Sequence, residues 1–263
     1  MTTLTRAAGD SATMVGRQMR HRLRYPSLTL MLAGMPIVLL LLFVYVFGGA
    51  MGAGLGGGSG GHAAYLDYIV PGIMLITVAM VAQGTAISVA TDMTGGIIAR
   101  FRTMDIARVS VLTGHVVGAL VQTLFALAIV TGVALLLGFR PSAGPLAWIA
   151  AAGLLVLVTF ALTWLTVALG MVADGVETAS NTPMPLLFLP FLSSGFVPTD
   201  TLPTGLRQVA EYQPFTPISE TLRGLLMGSE IGGSAALAVA WCAAVALAAY
   251  LWARRLYNRD PAR

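Results

Sequence analysis

Apolar residues along this chain gather into long runs separated by short polar stretches. Six runs stand out: Leu28–Phe47, Ile69–Ala90, Val111–Phe139, Leu146–Ala173, Pro185–Val197 with its upstream flank, and Ser234–Ala253. A helix rises about 1.5 Å per residue, so about 20 apolar residues cross a hydrocarbon core about 30 Å thick. The pattern predicts an all-α membrane protein with six transmembrane helices in a single transmembrane domain, residues 1–263. The fifth run is the weakest. Pro183, Pro185 and Pro190 each lack a backbone donor, so a broken or kinked helix is expected there. No small-residue cleavage pattern follows the first run, which reads as a retained span and not as a signal peptide.

The stretches between the runs have patterns of their own. Within residues 1–26, Val15, Met19 and Leu23 recur every four positions, while Arg17, Arg20 and Arg24 take other faces. This predicts a basic amphipathic helix in the membrane interface, ended by Pro26, with a disordered basic tail as the alternative. After the first run comes a glycine-rich stretch, 52–61, with a formal GxGxxG at Gly52, Gly54 and Gly57. No strand precedes it and no helix obviously opens after it, so a flexible linker fits better than a dinucleotide site. Residues 92–108 mix arginines with Ile97, Ile98, Phe101, Met104 and Ile106, and the spacing puts Ile97/Ile98, Phe101 and Met104 on one helical face. Such a segment is either an interface anchor or a docking surface for a cytoplasmic partner. Residues 140–145 suffice for a tight turn. Asp174 and Glu177 are placed to share a face, with solvation as their simplest role. Residues 198–233 are too apolar for a plain loop. Leu202–Tyr212 and Ile218–Met227 are too short to cross, so two short re-entrant helices are expected between the last two spans, the second capped by Thr216 with Pro217 at its first position.

Charge then fixes the expected orientation. All 15 basic positions are arginine. Arg6, Arg17, Arg20, Arg22 and Arg24 precede the first run, Arg100, Arg102 and Arg108 lie between the second and third, and Arg254, Arg255, Arg259 and Arg263 follow the last. Only Arg140, Arg207 and Arg223 fall on the other side. Cytoplasmic loops retain positive charge, so both termini read as cytoplasmic and the number of spans as even. The chain is 57% hydrophobic and 10% charged, against about 25% charged for an ordinary globular domain. Its pI of about 9.6 comes from arginines that flank apolar runs, which suits anionic lipid headgroups and not nucleic acid. Cys242 is the single cysteine, so no intramolecular disulfide forms.

Catalytic patterns are thin. His21, His62 and His115 lie in three separate regions, and no HExxH occurs. Walker A needs a lysine, and the chain has none. Asp67, Asp92, Asp174 and Glu177 sit at span ends, not at the depth where ion-driven carriers place acids. Polar groups inside the runs are mild: Gln83, Thr85, Gln122, Thr123, Thr159, Thr163, Trp164 and Thr166. Helix–helix hydrogen bonding is their default role. The alternative is a substrate path, with Gln83, Gln122, Thr163, Trp164 and Phe188 as its candidates, suited to a bulky amphipathic solute.

Residues 188–226 carry a resemblance. Phe188-Leu-Pro-Phe-Leu-Ser-Ser-Gly-Phe-Val-Pro198, then Leu202-Pro203, Tyr212-Gln-Pro-Phe-Thr-Pro217 and Glu220-Thr-Leu-Arg-Gly-Leu-Leu226 resemble the C-terminal signature of type-2 ABC exporter permeases, most of all the daunorubicin-resistance-type multidrug permeases. The family often has Asn where Gln213 stands and an aromatic near Gly205. The resemblance implies the membrane subunit of an ATP-driven exporter of hydrophobic drugs, antibiotics or lipids, working by alternating access in a bacterial cell membrane. It implies a dimer with a second copy or a homologous permease, and two separate ATP-binding subunits. ATP and Mg would be bound by those subunits, leaving no cofactor, metal or catalytic residue in this chain. Arg100, Phe101, Arg102, Thr103, Met104, Asp105 and Ile106 would form the coupling helix, with Arg17, Met19, Arg20, Leu23 and Arg24 in the interface helix beside it. Arg207, Glu211, Tyr212, Pro214, Glu220 and Arg223 would belong to an outer gate, the charged ones as ion pairs. A stand-alone secondary transporter or channel is the alternative. A membrane-embedded enzyme and a non-transporting sensor are more distant ones.

Overall fold

The computed structural model describes residues 26–49, 61–95 and 108–258, and every regular element among them is helical. The expected interface helix over 15–25, the glycine stretch over 52–60 and the coupling residues Arg100–Ile106 lie outside the described residues. Helix α1, Pro26–Leu42, starts on a proline, tolerated there because a first-turn N–H has no helical partner. It widens into a π-helical turn at Phe43–Phe47. Helix α2, Gly61–Thr94, starts eight residues before the apolar run does and is therefore about 50 Å long. A helix does open directly behind the glycine stretch, contrary to expectation. His62 in its first turn, with Nδ1 3.0 Å from the Val44 carbonyl, ties α2 to the end of α1.

Helices α3, Arg108–Leu136, and α4, Pro145–Val172, follow, joined by residues 137–144, whose turn falls at Leu137 and Gly138 and not within the expected 140–145. Helix α9, Ser234–Asn258, ends the described chain. Four described helices are long and apolar enough to cross a membrane: α2, α3 from Leu112, α4, and α9 to Tyr257. The apolar part of the first run, Leu32–Phe47, is shorter.

The fifth run is not one helix. Its prolines divide it into α5, Val176–Asn181, α6, Met184–Phe188, and a 3-10 turn, Leu189–Leu192. Each proline removes a donor and crowds the preceding turn, so the break was legible in the sequence. Asp174 lies before α5 in a bend and not on it, so the two acids do not share a helical face; both are exposed. Two short helices then appear as expected: α7, Thr204–Tyr212, and α8, Phe215–Met227. Helix α8 starts at Phe215, so Thr216 is inside it and is not its cap. It ends on Gly228 with φ +70°, a left-handed position that suits glycine.

Helix α2 is the centre of the bundle, with 72% of its apolar window buried against 33% for α3 and 22% for α9. It packs along α4, and α4 along α9. Small residues permit the closest approaches. A Cβ on Gly170 of α4 would lie 2.6 Å from the Ala86 carbonyl oxygen of α2. A Cβ on Gly72 of α2 would lie 2.7 Å from the Gly195 carbonyl oxygen. One large core joins α1, α2, α3, α4, α8 and α9. A second, built on Val89, Leu112, Val116, Trp164, Val167, Ala249, Ala253 and Tyr257, sits at the opposite end of the bundle from the α3–α4 turn.

Candidate functional site

Among the described residues, the densest polar arrangement lies where the broken fifth segment meets α2 and α8. The 3-10 turn ends at Leu192, and Ser193-Ser194-Gly195 leaves it with backbone groups that no helix satisfies. Side chains satisfy them instead. Ser193 Oγ donates to the Pro190 carbonyl at 2.5 Å and accepts from the Gly195 amide at 3.1 Å. The Ser194 amide donates to Thr216 Oγ1 at 3.4 Å, and the Ser194 and Ser219 hydroxyls meet at 2.9 Å. The Ser194 carbonyl accepts two donors, Tyr68 Oη at 2.8 Å and Arg223 Nη2 at 2.6 Å.

Arg223 is the hub of this node. Beyond Ser194 it reaches the Tyr68 carbonyl at 3.3 Å, and its guanidinium carbon sits 3.9 Å from the centroid of the Tyr68 ring. The planar fork and weak hydration of a guanidinium suit both contacts. Burial pushes Arg223 below its ordinary value, while nearby Tyr68 and Glu220 push it back up. An arginine remains charged throughout. The charge is thus matched by carbonyl dipoles and an aromatic face. Glu220, the expected ion-pair partner, accepts instead from Ser234 Oγ at 2.8 Å, linking α8 to the start of α9.

The other expected gate residues are more peripheral. Arg207 Nε and Glu211 Oε1 pair at 2.7 Å one turn apart on α7, with side chains 46% and 42% exposed. Such a pair is worth about 0.3–0.5 kcal/mol. Tyr212 is fully out in the open, at 80% exposure. Pro214 is half-buried and lines a void of about 30 Å³ with Phe215, Trp241 and Cys242.

The candidate path residues do not converge. Gln83 Nε2 donates to the Ser180 carbonyl of α5 at 2.8 Å, a helix–helix bond of the default kind. Thr163 and Trp164 are buried, Trp164 edge-on to Tyr250 with centroids 4.9 Å apart. Gln122 is half-buried and Phe188 is exposed. Thr85, Thr159 and Thr166 depart from the expected helix–helix bonding. Their hydroxyls donate to carbonyls three or four residues back on their own helices, so they are satisfied without a neighbour. A groove of about 310 Å³ opens between α3 and α4, lined by Leu124, Leu127, Gly132, Trp148, Ala152 and Leu155 among others, and none of the five path residues lines it.

Sequence reasoning missed Tyr68, Gly72, Ser193, Ser194, Thr216 and Ser219 as members of the polar node. The available signal was a Ser-Ser-Gly triplet inside an otherwise apolar, proline-rich stretch. At the other end of the bundle it also missed Asp92 of α2 and His115 of α3, which meet at 3.2 Å.

The sequence profile of the ABC-2 type transporter family matches residues 11–227. The chain is 32% identical over 227 residues to the daunorubicin resistance ABC transporter permease protein DrrB1 of Streptomyces coeruleorubidus, covering 85% of this chain and 78% of that one. It is 27% identical over 202 residues to the probable doxorubicin resistance ABC transporter permease protein DrrC of two Mycobacterium tuberculosis strains, covering 74% and 70%.

Proposed function

The chain belongs to the ABC-2 type transporter family, and on that premise we propose that it is the membrane subunit of an ATP-driven exporter of hydrophobic, amphipathic drugs or lipids. The observation that carries this reading is the 32% identity to a daunorubicin resistance permease across most of both chains. ATP is hydrolysed by a separate subunit, since the chain has no lysine from which to build a Walker A site. Two copies, or this chain and a homologous permease, form the pathway in a bacterial cell membrane.

In this reading α1, α2, α3, α4, the segmented 176–192 stretch and α9 are the six spans, with both termini cytoplasmic. Helices α7 and α8 are re-entrant at the outer face. Residues 100–106 seat in the ATP-binding subunit, and the helix over 15–25 lies beside them. The polar node of Tyr68, Ser194 and Arg223 holds α8 and the broken segment against α2, and this contact is the part of the outer gate that must yield when the pathway opens.

The test is purification in mild detergent, mass spectrometry of co-eluting chains, and daunorubicin transport after reconstitution. The reading expects a stoichiometric partner with Walker A and transport that depends on ATP. A lone protein that transports without ATP would overturn it in favour of a secondary carrier.

A further inference from the structure

Asp92 and His115 are far apart in sequence and lie on either side of residues 96–107. Asp92 stands within a turn of the end of α2, and His115 lies two turns inside α3. Asp92 Oδ2 and His115 Nε2 are 3.2 Å apart, with the imidazole 1% exposed and the carboxylate 15% exposed. The approach is close but off the axis of the ring N–H.

Its position is costly for either residue alone. A carboxylate near a helix C-terminus opposes the helix dipole, and one at the edge of the apolar zone is expensive to desolvate. With a proton on the facing nitrogen, an imidazole 3.2 Å away offsets both effects. Around the contact, Val89 and Met93 of α2 meet Leu112 and Val116 of α3. The same cluster continues into Trp164, Val167 and Ala168 of α4 and Ala249, Ala253 and Tyr257 of α9. A push on residues 96–107 therefore reaches two other long helices through one packed unit, provided that the ends of α2 and α3 move together.

We propose that Asp92 and His115 are positioning residues that lock the ends of α2 and α3 into one rigid base, which passes a push arriving at those ends on to α4 and α9. The proposal rests on the exporter reading, in which residues 100–106 receive the stroke of the ATP-binding subunit. Neither residue needs to touch that subunit or the solute. Their work is to keep the ends of α2 and α3 from splaying under that stroke.

The test uses the full chain, co-purified with its ATP-binding subunit and reconstituted, with daunorubicin transported per ATP hydrolysed as the readout. Asp92→Asn and His115→Asn should each lower that ratio at least fivefold, with the ATP-binding subunit still bound. The double variant should lose no more than the worse single one, because both break one contact. Unchanged ratios, or losses that multiply in the double variant, would overturn the proposal. A second measurement covers variants that insert poorly. Spin labels at Thr94→Cys and Val117→Cys, in a Cys242→Ala background, should give one narrow distance that broadens with Asp92→Asn. An unbroadened distance would equally overturn it. If the unaltered chain retains no ATP-binding subunit, the exporter reading itself has failed, whatever the spin labels report about the lock.

Discussion

Removing Arg223 offers the sharpest check on the polar node. Arg223→Ala deletes a 2.6 Å bond to the Ser194 carbonyl, a 3.3 Å bond to the Tyr68 carbonyl and the stacking on the Tyr68 ring at 3.9 Å. A hydrogen bond from a charged donor contributes about 1.5–3 kcal/mol, and the longer of the two contributes less. A partly desolvated cation–π contact adds about 0.5–2 kcal/mol. Two effects reduce the sum. The Ser194 carbonyl keeps the Tyr68 hydroxyl as a donor, so no acceptor is orphaned there, and the cost of desolvating the guanidinium disappears with it. The expected net loss is about 2–4 kcal/mol. For a chain of this size that is a fall of roughly 5–10 °C in the thermal midpoint of the detergent-solubilised protein. Arg223→Lys keeps the charge but loses the planar fork, and should fall between the two. A cycle with Tyr68→Leu should show coupling of about 1–2 kcal/mol, because the two side chains share one contact. An Arg223→Ala midpoint within about 1 °C of the parent, or strictly additive losses in the cycle, would refute the account of Arg223 as hub.

Glycine substitutions separate close approach from ordinary helix propensity. Gly72→Ala drives a Cβ to 2.7 Å from the Gly195 backbone oxygen and should cost about 1–3 kcal/mol, whereas Gly132→Ala meets nothing within 4 Å and should stabilise by up to about 1 kcal/mol, both read by thermal unfolding. Arg207→Ala should cost no more than about 0.5 kcal/mol, since its partner Glu211 is a near neighbour on an exposed face; a larger loss of stability would give that pair a role in the node. Charge reversal at Arg100 and Arg102, or Phe101→Asp, should abolish ATP-dependent export and leave membrane insertion intact; normal export would remove these residues from the coupling role. Shortening residues 53–61 should leave export near the parental level, and its loss in a transport assay would mean that the glycine stretch does more than link.

The sequence alone determined the class of this protein. Long apolar runs have few physical outcomes, because backbone groups in hydrocarbon must be bonded within their own segment, which forces helices. Their lengths predicted α2, α3, α4 and α9, and the fifth run's three prolines predicted its fracture into α5, α6 and a 3-10 turn. The signature over 188–226 predicted the family that the comparisons bear out. Helix ends were less legible: α2 reaches back to Gly61 through a polar first turn that hydropathy does not register, and α8 takes in Phe215 and Thr216.

Pairing between side chains was decided only by the tertiary structure. Arg223 and Glu220 are one turn apart on α8, and charge alone matched them, but packing gave Arg223 two carbonyls and an aromatic face and gave Glu220 a serine on α9. Several threonines that hydropathy marked as helix–helix contacts turned inward onto their own backbones. Asp92 and His115 carry no shared motif, and their meeting follows from how α2 and α3 lie against each other. Hydropathy is a property of each residue and can be read along the chain. A partner is a property of distance, and distance between segments exists only once the helices have packed.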